Sequence, residues 1–420
     1  MSNLFLFQTY NYTAYLPSGA CSMIFFSNKM DPIIKLKLKE KENKSIPAII
    51  SLKEPPSNSF KNSISKNSGK LKYEYKFTQA LSVQMSPRGI EKLSELPEVS
   101  YISYDRKAEI CMDKASKSIG ISSNNPYNLT GKGVNIAVID TGVYPHGDLN
   151  RPNKVVIAFK DYINSIKQPY DDNGHGTHIS GIISGSGELS NGKYKGIAPS
   201  SRLIMLKAFN CVGEGSFSDI IAAIEWVIEN KEKYDIKLLC LPFGGEAVTS
   251  CKFDPLVKAC EAAWNKGIIV VSASGNRGPS FDTITTPGIC PCIITVGSCE
   301  YTDTAAKNWK VSNFSGRGIK RGNIIKPDFL TPGFNITSLS ADRSYIPGVT
   351  SMIHLDNPYH AASGSSISCA IAAGCIALFL EKMPTVSGND LKGILKLSCK
   401  SLNEPKTSQG FGMIDMQKIY

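Results

Sequence analysis

Between Val134 and Ser274 short apolar runs take turns with longer amphipathic stretches, and this rhythm restricts the fold more than any other feature of the chain. The runs "VNIAVI", "RLIMLKA", "IKLLCL" and "IIVVSAS" have strand length, whereas "SDIIAAIEWVIENK" and "PLVKACEAAWNKG" are longer and carry their apolar residues at helical spacing. Ser218 is the expected cap of the first helix, and Gly267 is expected to close the second. Strands that are apolar throughout must be covered on both faces, so the pattern predicts a parallel sheet between two helical layers. Ligands in such sheets sit beyond the carboxyl ends of the strands. There, "DTG" follows one strand and "GN" follows another.

The chain has 420 residues, and single cores stop growing at about 250–300 residues, so a second, smaller unit is expected. Residues 1–30 show no readable pattern and stay unassigned. Residues 31–112 read as a small α/β domain, with "IIKLKLK", "IPAII", "KFTQALSVQM" and "VSYISYD" as strands. The Lys/Ser/Asn-rich stretch inside this unit reads as a loop. "SPRGIEKLSELP" reads as a helix that starts at Ser86-Pro87 and stops at Pro97. A linker beginning at "AEICMDK" then leads into the large domain, 113–420.

A formal net charge of +11 is spread over scattered lysines instead of one strip, which argues against a nucleic-acid partner. No apolar run approaches the roughly 20 residues of a membrane span, so no membrane partner is expected. "LFLF" and "MIFF" are short for a signal-peptide core of about 7–15 residues. Several of the 12 cysteines lie in apolar runs and form no regular framework, which suits a reducing cytoplasm, with the extracellular space as the alternative. "CPC" at Cys290–Cys292 lacks the spacing and the second ligand pair of a zinc ribbon, so no metal site is expected there.

Three side chains stand out in the large domain. Asp140 ends the strand "VNIAVID", His175 lies in the glycine-rich "NGHGTHISG", and Ser366 sits where "SGSSISCAIAAG" leads into an apolar helix. An Asp, a His and a Ser are the parts of an orienter, a base and a nucleophile, and a serine at a helix start lies beside N–H groups suited to a developing oxyanion. His175 and His178 together could also suggest a metal pair, but the glutamate of H-E-x-x-H is missing. "DTG" at Asp140 has no second copy for an aspartic-protease dyad. "GELSNGKY" has Tyr194 where a phosphate-binding loop needs Ser or Thr, so it reads as a surface turn. Trp226 sits among aliphatic residues at helical spacing and reads as core.

"AVIDTGV", "DDNGHGTHISGIISG", "SASGN", "KPDFLTPGFNITS" and "ASGSSISCAIAAG" occur in an order and spacing that resembles the subtilisin-like (subtilase) serine peptidases, from about Gly131 to Lys400. The flanking text looks most like the bacterial AprX-type enzymes of that family. The resemblance implies a three-layer, parallel-sheet subtilisin-like domain preceded by a small, ferredoxin-like propeptide domain. It also implies a serine endopeptidase acting on polypeptides through an acyl-enzyme. In that reading Asp140 orients the base, His175 is the base, Ser366 is the nucleophile, and Asn276 with the Ser366 N–H forms the oxyanion hole. Phe243, Gly244 and Gly245, together with Ser272, Ala273, Ser274 and Gly275, line the cleft.

The N-terminal domain is then an intramolecular inhibitor, with self-cleavage expected within about Ile110 to Ser123. The chemistry requires no cofactor; calcium sites are frequent in the family, but no acidic loop here locates one. Around the nucleophile the usual G-T-S-M-A reads "GSSIS", so Ser365, Ile367 and Ser368 depart from the pattern, as do Ala370 and Pro242. These departures leave open a rival reading, a catalytically silent subtilase fold that acts as a binding or signalling protein.

Overall fold

The computed structural model describes residues 29–40, 44–110, 113–114, 128–248, 250–303, 308–318, 325–352 and 355–418. Most of the unassigned segment 1–30 lies outside them, as does most of the expected cleavage window.

The first unit contains α1 (Pro32–Lys39), β1 (Ile46–Leu52), α2 (Asn58–Lys66), β2 (Lys70–Tyr75), β3 (Ala80–Met85), α3 (Pro87–Glu95) and β4 (Val99–Tyr104). Its strands form an antiparallel sheet in the order β2-β3-β1-β4, the β-α-β-β-α-β arrangement. Helix α3 begins at the expected Ser86 cap, whose hydroxyl accepts from the Gly89 N–H. "IIKLKLK" is a helix and not a strand: Asp31 caps it, Pro32 occupies its first turn, and only Ile34 and Leu38, four residues apart, are buried. Alternation of Ile, Leu and Lys suggested period two, but the Asp-Pro start and the tertiary contact decided otherwise. The stretch read as a loop holds α2, capped by Ser57, and β2.

Two short strands follow, β5 (Lys107–Ile110) and β6 (Asp113–Lys114). The large domain then runs β7 (Asn135–Asp140), α4 (Gly147–Asn150), β8 (Val156–Asp161), α5 (His175–Ser184), β9 (Arg202–Lys207), β10 (Glu214–Ser216), α6 (Phe217–Glu229), β11 (Ile236–Leu241), β12 (Phe243–Gly245), α7 (Pro255–Asn265) and β13 (Ile269–Ala273). It ends with β14 (Ile294–Asp303), β15 (Asn308–Val311), β16 (Phe329–Pro332), β17 (Ile336–Leu339), β18 (Tyr359–Ser363), α8 (Ser365–Lys382), α9 (Gly388–Leu397) and α10 (Lys406–Gln409).

The central sheet is eight-stranded, ordered β15-β14-β13-β11-β7-β9-β8 with β16 also on β14. Every pairing is parallel except β14 with β15. Alternate residues of one strand face different helices. Ile136 and Val138 pack with the α5 and α8 residues Ile179, Ile183 and Ile371, while Ala137 and Ile139 pack with the α6 and α7 residues Ile220, Ile224 and Val257. This gives the three layers that the apolar runs predict.

Helix α6 is capped by Ser216, whose hydroxyl accepts from the Asp219 N–H, and not by Ser218, which lies inside the helix. Both serines precede the apolar run, but the chain enters the helix from β10 two residues earlier. Helix α8 is long and apolar enough to cross a membrane, yet 89% of it is buried inside the domain. It is the central core helix. Among the described residues the cysteines are free.

Candidate active site

Asp140, His175 and Ser366 are far apart in the chain and meet at the carboxyl edge of the sheet. Asp140 is the last residue of β7, and His175 opens α5. Ser366 lies in the first turn of α8, behind Gly364 at its cap. The turn before α5 needs glycine, because Gly174 has φ of 100°, a region that disfavours a Cβ.

Nδ1 of His175 lies 2.8 Å and 2.9 Å from the two Asp140 carboxylate oxygens. Nε2 of the same ring lies 3.0 Å from Ser366 Oγ. A carboxylate only accepts, so it holds the proton on Nδ1 and leaves Nε2 as the acceptor for the serine hydroxyl. All three side chains are buried, which excludes water from these hydrogen bonds and strengthens them.

Ser365 is engaged elsewhere. Its N–H donates to Asn276 Oδ1 at 2.9 Å, and its hydroxyl accepts from the Gly275 N–H at 3.1 Å. With Oδ1 so occupied, the Asn276 amide nitrogen is the end left to serve as a donor. The other departures from the family pattern are also absorbed. Ile367 and Ala370 pack in the core, and the Ser368 hydroxyl donates to the Thr331 and Pro332 carbonyls at 3.1 and 3.2 Å. Pro242 precedes β12 without interrupting it.

Asp171 is a hub that the sequence does not single out, beyond the acidic doublet before "NGHGTH". Its carboxylate accepts five hydrogen bonds: from Thr141 Oγ1, the Asn173 and Gly174 N–H groups, and the Thr177 N–H and hydroxyl. Thr141 Oγ1 also accepts from the Gly176 N–H, so one network ties the loop after Asp140 to the turn carrying His175. Lys207, fully buried at the end of β9, donates to the Thr141 and Phe209 carbonyls and to Asp172. His178, fully buried, packs on His360, ring centroids 4.5 Å apart. Burial, helped by repulsion from His360 and His175, holds its pKa well below the ordinary value.

The strand that the sequence marks as a cleft edge is already paired within the chain. Strand β5 lies antiparallel between β10 and β12, with Glu109 opposite both Glu214 and Gly244, and Ala108 opposite both Gly215 and Gly245. Ala108 is buried in the apolar cluster of Phe209 and Phe243. Beyond it, β6 pairs with β18, Asp113 opposite Ser363 and Lys114 opposite Ala362. The described chain therefore pairs with β12 at one point and with β18, which leads into the helix of Ser366, at another. Of the anticipated lining, Phe243, Gly244 and Gly245 pair directly with β5. Ser272, Ala273 and Ser274 are buried at the end of β13, where Ser274 bonds Val296 and Thr285. Gly275, with φ of 91°, joins this strand end to Ser365. The β10 wall carried no motif and shows itself only through pairing.

The small unit docks on α6 and α7. Tyr73 and Lys72 donate to Asp219, Tyr75 donates to the Ser218 carbonyl, and the Phe77 N–H donates to the Glu225 carboxylate. Arg106, 5% exposed, reaches Asp254 at 3.3 Å. Burial raises the Asp254 pKa, and Arg106 works against that rise.

Comparisons with known proteins agree in one direction. Residues 131–413 match the model of the subtilase family. The chain is 38% identical over 336 residues to serine protease AprX of Bacillus subtilis (strain 168), covering 78% of this chain and 75% of that protein. It is 29% identical over 366 residues to subtilisin E of the same organism, covering 85% and 84%. Among solved structures it resembles fervidolysin from Fervidobacterium pennivorans, described as a keratinolytic enzyme related to subtilisin, with a TM-score of 0.73 at 17% identity. That match covers 94% of this chain but spans only 63% of the fervidolysin chain, and it speaks for the fold alone.

Proposed function

The chain belongs to the subtilase family of serine peptidases, and from that premise we propose how it works: as an endopeptidase whose Ser366 attacks the peptide carbonyl and whose N-terminal unit inhibits it until cut away. One observation carries the reading. The linear set of hydrogen bonds from Asp140 through His175 to Ser366 lies under a cleft in which β5 is already paired as a substrate strand would be.

The chemistry follows from that geometry. His175 Nε2 takes the Ser366 proton as Oγ attacks, and the Asp140 carboxylate stabilises the imidazolium that forms. The negative oxygen of the tetrahedral intermediate is met by the Asn276 amide nitrogen and by the N–H at the start of α8. His175 then returns the proton to the departing amine, and a water repeats the sequence on the acyl-enzyme. No step requires a cofactor. Substrate backbone adds as a strand between β10 and β12, which makes recognition largely independent of side chains. The Ala108 subsite, closed by Phe209 and Phe243, favours a small apolar side chain.

Self-processing is read from the same register. Because β5 ends at Ile110 and β6 begins at Asp113, the bond cut is one of those between Ile110 and Asp113, a narrower window than the linker alone defines. Residues 111–112 themselves lie outside the described residues.

The test compares the full wild-type chain with Ser366→Ala for hydrolysis of labelled casein, labelling by a fluorophosphonate, and size. Wild type should cleave casein, take the label and shorten, with a new N-terminus at 111, 112 or 113; the variant should do none of these. If both stay long, silent and unlabelled while folded, the silent binding-protein reading replaces this one.

A further inference from the structure

We propose that Cys290, Cys292 and Glu261 form a binding site for a single thiophilic divalent cation of the zinc type, between α7 and the turn that follows Thr286. The sequence suggested no such site, because "CPC" has no second ligand pair in its neighbourhood. The fold supplies the missing ligand from α7: the two sulfurs and a Glu261 oxygen all lie within 4.8 Å of one another.

The distances suit tetrahedral coordination. Zinc–sulfur bonds of about 2.3 Å at tetrahedral angles hold two sulfurs about 3.8 Å apart. Cys290 Sγ and Cys292 Sγ lie 3.4 Å apart, so a shift of a few tenths of an ångström admits the ion. Access is available, since Cys290 is buried while Cys292 and Glu261 are partly exposed. Water completes the fourth position.

Charge favours the same conclusion. Two thiolates and a carboxylate around a divalent ion leave one net negative charge. Lys392 stands beside the site, its ammonium donating to the Pro291, Cys292 and Ile293 carbonyls. Binding displaces the two thiol protons to solvent and changes no oxidation state.

The location gives the ion a structural role. From Cys290 the chain runs back to Thr286, which exchanges backbone hydrogen bonds with Gly245 of β12, and to Thr285, whose N–H donates to Ser274. An ion bridging Glu261 on α7 to this turn would fasten the outer support of β12. The site is independent of whether the triad is active.

The experiment uses the full chain carrying Ser366→Ala, so that no self-digestion intervenes, reduced and titrated with Co²⁺ and then Zn²⁺. The expected result is one equivalent bound with thiolate-to-cobalt charge-transfer absorption, displaced by zinc. Cys290→Ser and Cys292→Ser should abolish that absorption, and Glu261→Gln should weaken zinc binding by about tenfold or more. A second measurement needs no substitution at the site: zinc should protect Cys290 and Cys292 from alkylation and leave exposed Cys211 reactive. Charge-transfer absorption that survives both cysteine substitutions, or alkylation at these two thiols that zinc does not slow, overturns the proposal. So does a Cys290–Cys292 disulfide in the purified chain that, once reduced, takes up no metal.

Discussion

Replacing Asp171 by Asn tests whether the turn carrying His175 is held in place by the buried carboxylate beneath it. The change keeps the shape of the side chain and removes one acceptor oxygen. If the amide oxygen keeps the three donors now on Oδ1, the amide nitrogen faces the Thr177 N–H and hydroxyl, now 2.9 and 2.6 Å from Oδ2. The opposite orientation would strand Thr141, Asn173 and Gly174 and is worse. Hydrogen bonds to a charged group contribute about 1.5–3 kcal/mol each, so two lost bonds set a ceiling of about 3–6 kcal/mol. Part of this is relieved by movement of the turn, and movement there displaces His175 relative to Ser366. If half is expressed as misplacement in the transition state, about 1.5–3 kcal/mol, kcat falls by about 10- to 100-fold.

Asp171 touches neither β10 nor β12 among its hydrogen bonds, so KM should stay within about twofold. The assay is steady-state hydrolysis of a chromogenic peptide, paired with the rate at which a fluorophosphonate labels Ser366. Both rates should fall together while the amount of folded protein, read by circular dichroism, is unchanged. A kcat within twofold of wild type, or a loss confined to KM, would refute the positioning role.

Other perturbations reach different parts of the molecule. Asn276→Leu removes a side-chain oxyanion donor, and kcat for a peptide substrate should drop by about 10²–10³ with little change in KM; that range comes from subtilisin itself, a relative of this chain. Arg106→Ala leaves the carboxyl of Asp254, 0% exposed, without its guanidinium partner. Breaking such a buried pair costs about 3–5 kcal/mol; the separated N-terminal unit carrying the change should inhibit the mature enzyme at least 100-fold more weakly in a titration of activity. Asp328 is 2% exposed; burial pushes its carboxyl up, but Lys326, Lys392 and Lys396 together hold it below the ordinary carboxylate range. A depressed folded-state pKa means its contribution is present above the unfolded value of about 3.9 and is lost as pH falls through the folded value. Asp328→Asn in the Ser366→Ala chain should therefore lower denaturant stability at pH 7, with the gap to the parent narrowing below about pH 4.

Much of the molecule is legible without its structure. The strand and helix alternation from Val134 onward specifies a covered parallel sheet, because each element's burial pattern repeats within a few residues. Local stops and starts are legible for the same reason: Ser86 with Pro87 begins α3, and Gly267, with φ of 75°, follows the end of α7. Asp140, His175, Asn276 and Ser366 stand out because each sits in a short stretch of unusual composition at an element boundary. Where only local pattern was available it also misled, as at Pro32–Lys39, whose alternating residues look like a strand and form a helix.

The rest depended on partners far away in the chain. His175 meets Asp140 across 35 residues and Ser366 across 191. The Thr141 bond to Asp171, the anchoring of Asn276 by Ser365, and the seating of Lys107–Ile110 between β10 and β12 all join segments whose own sequences say nothing of one another. Glu261 reaches the Cys290–Cys292 pair only because α7 and the turn after Thr286 pack side by side. Periodicity and capping are properties of neighbours in sequence, and so the sequence determines the elements and the residues worth examining. Hydrogen-bond partners and clefts are properties of neighbours in space, and only the packed chain decides them.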